Sequence, residues 1–203
     1  GREHRALNDR LAELGYPTKL VERITRKGLA FRARVMTPRA NLATTAALEH
    51  FTATLADVIL SSERARELIG APELVDVFVW HALEESEHKA VAFDVYRHVG
   101  GSERTRRWTM NYICVMFLGG MTLQVVGAML GDRETYRRGA VRASLGRISR
   151  NPFFTKRVWR RLRDYNRLGF HPDDHDTTEL LEAWRERLFG ADGSLVDRLL
   201  DTA

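Results

Sequence analysis

Only one cysteine, Cys114, occurs among 203 residues. No disulfide can form within the chain, and its cysteine usage gives no sign of an oxidising compartment. Proline is scarce, at five residues, and the alternating patterns that mark strands are poor. A G-x-S-x-G elbow, a phosphate-binding P-loop and a G-x-G-x-x-G turn are all missing, so serine-hydrolase, nucleotide and dinucleotide readings lack support. H-E-x-x-H, the commoner zinc-hydrolase pattern, is missing too. No signal peptide is visible. The first residue is Gly1 rather than Met, which leads us to expect a fragment or a cloning remnant.

What remains is rich in Ala, Leu, Arg and Glu, all good helix formers, and the chain is long enough for one domain with a real core. The pattern predicts an all-α helical bundle. A first helix runs from about 3 to 14 and stops at Gly15-Tyr16-Pro17. A second runs from Thr18 to Met36. A third starts at Pro38, a proline in first helical position, and reaches Leu60 or beyond. A fourth runs from Pro72 to Val99 and ends at Gly100-Gly101. We divide the chain into 1–101, the helices bearing the polar constellation below, and 102–203, an apolar helix followed by basic amphipathic helices and a C-terminal helix.

That second part opens on Trp108 to Leu130, 23 residues without a charge. As a helix the run reaches about 34 Å, enough for a bilayer core, although Asn111, Thr122, Gln124 and three glycines interrupt it. Twelve Lys/Arg and only Glu134 and Asp164 lie between Arg133 and Arg167. This local balance is +10 in a chain of net charge +5, so the remainder carries −5. In the helix after Asn151-Pro152, a stripe of Phe154, Val158, Leu162 and Tyr165 is surrounded by Arg. Such a helix beside an apolar segment predicts a membrane surface as partner, in a peripheral or partly embedded arrangement. Nucleic acid is the weaker reading, because no recognition module is visible. The expected location is cytoplasmic or membrane-associated.

The chemistry concentrates on the fourth helix, APELVDVFVWHALEESEHKAVAFDVY. At about 100° per residue, His81 falls about 40° and His88 about 60° from Glu85, with Glu84 about 100° away. Leu74, Val77, Phe78, Ala92 and Val95 share the sector. A carboxylate in an apolar stripe needs a partner, and a cation held by Glu85 and His88, an E-x-x-H pair, would supply it as in di-iron bundles. His81 is a third donor one turn back. On the third helix Glu49 lies among Leu42, Thr45, Ala46, Ala53, Ala56 and Leu60, mostly small residues that permit close approach. His50 points about 100° away. His4 aligns with Leu7, Leu11 and Leu14 and is a weaker candidate ligand. The loop FHPDDHD reads first as a turn whose aspartates cap the next helix, with His171 as a candidate element of a second site. Glu84, or whichever of Glu84 and Glu85 does not ligate, is the candidate catalytic base.

The strings REHRALNDRL, TAALEHFTA, WHALEESEHKAVAFDVY and GFHPDDHD resemble a bacterial family described as predicted metal-dependent hydrolases. The resemblance covers most of the chain. It implies a ferritin-like bundle of E-x-x-H helices, one or two divalent ions, iron or zinc, and a metal-activated water acting on a small molecule. The family carries further helical sequence ahead of His4, with another E-x-x-H, which this chain lacks; Glu49, Glu85 and His88 would then be one part of a two-metal centre. The alternatives are a di-iron carboxylate oxidoreductase acting on a lipid-like substrate and a non-catalytic membrane-associated helical protein.

Overall fold

The structure is a computed structural model. It describes residues 18–131 and 148–196, together with 9, 12, 13, 136, 137, 139, 144 and 146. His4 lies outside the described residues. These residues are helices joined by short turns, with no strand among them. Two compact units form, residues 1–41 and residues 42–203. In the first, α1 spans Thr18–Val35. In chain order there follow α2 (Pro38–Ser61), α3 (Glu63–Glu67), α4 (Pro72–His88), α5 (Val91–His98), α6 (Glu103–Gly131), α7 (Lys156–Asp164) and α8 (Thr178–Phe189).

The second unit is built around α2. Its small residues disappear from solvent, with Ala43, Ala46 and Ala47 at 0% exposure. Without side-chain bulk, neighbouring elements can pack on several sides of one helix. Phe51 and Val58 join Phe93 of α5, Met110 and Ile113 of α6, and Val158 and Leu162 of α7 in one apolar cluster. Ala56 and Leu60 join Val79, Ala82 and Leu83 of α4 and Leu181 and Leu188 of α8 in a second. The Trp184 indole donates to the Leu60 carbonyl (2.9 Å), tying α8 to the end of α2.

The single helix expected over 72–99 is two helices. Lys89 and Ala90 form a turn between α4 and α5. There the Lys89 ammonium donates to the His175 carbonyl (2.8 Å) and to Thr177 Oγ1 (3.3 Å), and it pairs with Asp173 (3.4 Å). The buried face of α4 also differs from the expected one. Val79, Ala82, Leu83 and Ser86 are buried, whereas Leu74, Val77, Phe78 and, on α5, Val95 are exposed. A wheel drawn through an unbroken helix weighted the larger apolar residues. The face that packs on α2 and α8 carries Val79, Ala82 and Leu83 instead, with the Ser86 hydroxyl satisfied by the Ala82 carbonyl (2.8 Å).

The stop at Gly100-Gly101 falls where expected. Gly100 takes φ +73°, and a Cβ on Gly101 would lie 2.3 Å from the Tyr96 ring, so no larger residue fits there. After that turn α6 runs for 29 residues, long and apolar enough by length and composition to cross a membrane.

Candidate metal centre

Glu49 and Glu85 of the predicted constellation lie on the sides of α2 and α4 that face the start of α5 and each other's helix. Glu49, half-buried on α2, accepts the Ala92 backbone N–H through Oε2 (3.1 Å). Ala92 lies in the first turn of α5, where amides have no partner within the helix, so the carboxylate also meets the positive end of the helix dipole. One turn along α2, Thr52 Oγ1 donates to Glu85 Oε2 of α4 (2.6 Å). Thr52 carried no obvious signal in the sequence; only its position three residues after Glu49 could have placed it on the same face.

Partial withdrawal from water holds the Glu49 carboxyl above the ordinary range, and the Glu85 charge pushes it further; the Ala92 amide and His88 act the other way. Burial and a second carboxylate both disfavour the ionised form. His88 is exposed at the end of α4. The His81 ring stands between two acids, with Nδ1 3.6 Å from Glu84 Oε2 and Nε2 3.5 Å from Glu85 Oε1. Among the described residues no three His, Cys, Asp or Glu side chains converge as a ready group for a metal. The donor set nevertheless suits a divalent cation chemically. It has two carboxylates and two imidazoles, and a half-buried carboxyl whose charge a cation would relieve.

The FHPDDHD loop is a turn held by its own side chains. His171 Nδ1 accepts the Asp173 N–H (3.2 Å), Nε2 meets Asp94 Oδ1 of α5 (2.8 Å), and Asp174 returns to the His171 N–H (3.2 Å). Asp176, one residue ahead of the N-cap Thr177, accepts the Thr178 N–H at the start of α8 (2.9 Å).

His50 points elsewhere, as its angle on the wheel requires. Its Nε2 donates to the Arg161 carbonyl (3.1 Å), and its ring lies 4.9 Å from Tyr165 and 5.1 Å from Phe170. A cavity of about 20 Å³ beside it is lined by Thr54, Ser86, Lys89, Arg161 and His175 among others, enough for one water molecule. Sequence reasoning also missed Asp57. It is 4% exposed and paired with Arg161 (3.0 Å) and Arg157 (3.1 Å). Nothing local in the sequence announces that pairing, which joins residues about a hundred positions apart.

No curated protein and no solved structure matches the chain. A family model does, over residues 1–176, a stretch that includes α2, α4 and the FHPDDHD loop. The chain therefore belongs to the family described as predicted metal-dependent hydrolases.

Proposed function

We propose that the protein is a hydrolase whose divalent ion, iron or zinc, is held by Glu49, Glu85 and His88, with His81 as the next donor. Membership of the family implies a metal ion and a small-molecule substrate. The observation that supports the assignment is the bond from Thr52, one turn from Glu49 on α2, to Glu85 of α4, which brings Glu85 to the Glu49 side of α2. There, burial and like charge raise the proton affinity of Glu49. Such a pair is costly when both are ionised, and a cation offsets the cost. When bound, the ion supplies Lewis acidity and a water of lowered pKa.

The remaining roles fall to the chain's own side chains. Thr52, through its 2.6 Å bond, fixes the Glu85 carboxylate on the α2 side. The Ala92 amide orients Glu49 in the same way. Glu84 is more exposed than Glu85 (44% against 28%), so it can meet solvent and take a proton from attacking water. His81, beside both acids, orients them.

Metal titration with elemental analysis tests the site. Glu85→Ala and His88→Ala should each weaken binding at least about tenfold, a usual loss when site groups are removed. Glu84→Gln should keep the metal and lower hydrolysis about 10²-fold or more, as loss of a general base does. Unchanged metal affinity in both of the first two variants would sink the assignment.

A further inference from the structure

The end of α2 and the starts of α3 and α7 surround a cavity outside the metal centre. α2 ends at Ser61, and Ser62 caps α3, its hydroxyl accepting the Ala65 N–H (3.2 Å). Thr155 caps α7 in the same way at the Val158 N–H (3.4 Å). The cavity between them measures about 400 Å³, within the range of small-molecule sites, about 300–1,000 Å³. On α2 its floor at Asp57 lies about 80° round the helix from Glu49 and about 12 Å along it. None of Glu49, Glu84, Glu85, His81 and His88 lines it.

The floor carries more cation than anion. Asp57 is almost fully buried and both of its oxygens are taken, Oδ2 by Arg157 Nη2 (3.1 Å) and Oδ1 by Arg161 Nη1 (3.0 Å). Two guanidiniums against one carboxylate leave a charge of +1. Each guanidinium carries several N–H donors in a planar fork. Among the described residues the Arg157 and Arg161 side chains engage one nitrogen each, on Asp57. Their other N–H groups can hold a further oxyanion. The Arg157 side chain is 61% exposed and stands at the mouth, whereas Arg161 is 16% exposed and lies within.

The walls set what else an occupant carries. The Ser62 and Thr155 hydroxyls accept backbone N–H groups, so each still has a hydrogen to donate. The Ser61 hydroxyl donates to the Asp57 carbonyl (2.5 Å) and keeps a lone pair to accept. Val58 and Val158, both buried, form an apolar side. Glu63, exposed on the rim, repels a second negative charge. One negative charge, a hydroxyl and a short aliphatic body match this lining.

We propose that the cavity is a binding site for a small hydroxycarboxylate monoanion, its carboxylate on Arg157 and Arg161 and its hydroxyl toward Ser61. A planar carboxylate fits a guanidinium fork through two parallel bonds. The site needs no metal, and its test is independent of the metal centre.

Lactate, malate and glycerol are the probes, titrated into the whole chain by saturation-transfer NMR, in the protein as isolated and again after chelation. Lactate should bind saturably and equally in both. Malate, with a second charge near Glu63, should bind more weakly, and glycerol should not displace lactate. Arg157→Gln should weaken lactate binding at least about tenfold, the loss expected for a charge-assisted hydrogen bond. Arg161 still pairs with Asp57 in that variant, and urea unfolding checks that it stays folded. Ser61→Leu, which fills space without changing charge, should weaken binding as well. Arg160→Gln, on α7 but outside the cavity, should leave it unchanged. Lactate binding lost on chelation would assign the carboxylate to the metal centre and overturn the site. A loss in Arg160→Gln equal to that in Arg157→Gln would reduce it to attraction by the basic face of α7. Absence of saturable lactate binding, or binding that Arg157→Gln and Ser61→Leu both leave unchanged, would overturn the proposal. Malate binding tighter than lactate would overturn the choice of a monoanion.

Discussion

The two carboxylates of α2 that face inward, Glu49 and Asp57, are eight residues and about 12 Å apart, yet their surroundings are opposite. Asp57 is almost fully buried and meets two guanidinium groups, Arg161 and Arg157. Its charge is neutralised within the protein, and its lone pairs are occupied. Glu49 is only half-buried, receives a single backbone N–H and looks across at Glu85. No arginine or lysine pairs with it among the described residues. Burial by itself therefore does not mark a metal site. The proposed site rests instead on charge left uncompensated, a condition met on α2 at Glu49 and not at Asp57.

Breaking the closed end should have the largest effect. Asp57→Ala strands Arg161, 16% exposed, and should cost about 4 kcal/mol, as expected when one partner of a buried pair is lost. Metal affinity should not change. Urea unfolding alongside metal titration measures both, and a parallel loss of metal would merge the two ends into one site.

His50, between the two acids in sequence, gives the next effect. Burial, with the charges of Arg161, Lys89 and His175, holds its pKa down to about 4. The unfolded chain therefore binds the extra proton first, and stability falls as pH drops. The share due to His50 is fully present above about pH 6.5 and is lost on acidification towards about pH 4, some 3 kcal/mol in all. In His50→Gln, whose amide can still donate to the Arg161 carbonyl, this component should vanish. Equal pH slopes for the two proteins between pH 7 and 4 would contradict it.

The open end should respond least and in the opposite direction. In metal-free protein Glu49→Gln removes a disfavoured charge and keeps an acceptor for the Ala92 N–H, so stability should be unchanged or raised by up to about 1 kcal/mol. A loss comparable to that of Asp57→Ala would mean that Glu49 is a structural cap for α5 and nothing more. Thr52→Val, which frees Glu85, should cost about 1 kcal/mol and loosen metal binding in the titration.

The helical class, the proline starts at Pro38 and Pro72 and the stop at Gly100-Gly101 were legible in the sequence, because propensity, proline and glycine act within a few residues. Glu49, Glu85 and His88 could be named from their spacing on two helices as candidate ligands, and they remain a proposal. The break at Lys89 was not, since it depends on carbonyl and hydroxyl partners in a loop near residue 175. Nor was the outward position of Leu74, Val77 and Phe78. Periodicity reports that a face is apolar, not which of two such faces is covered.

The sequence by itself determined the element types and the inventory of candidate ligands, because helix propensity, caps and spacing are local. Tertiary structure decided which carboxylate is already neutralised, what holds Glu85, and how much of the apolar run is taken up by the core. Each of those depends on atoms brought together across tens of residues, where close packing around the small side chains of α2 selects the partners.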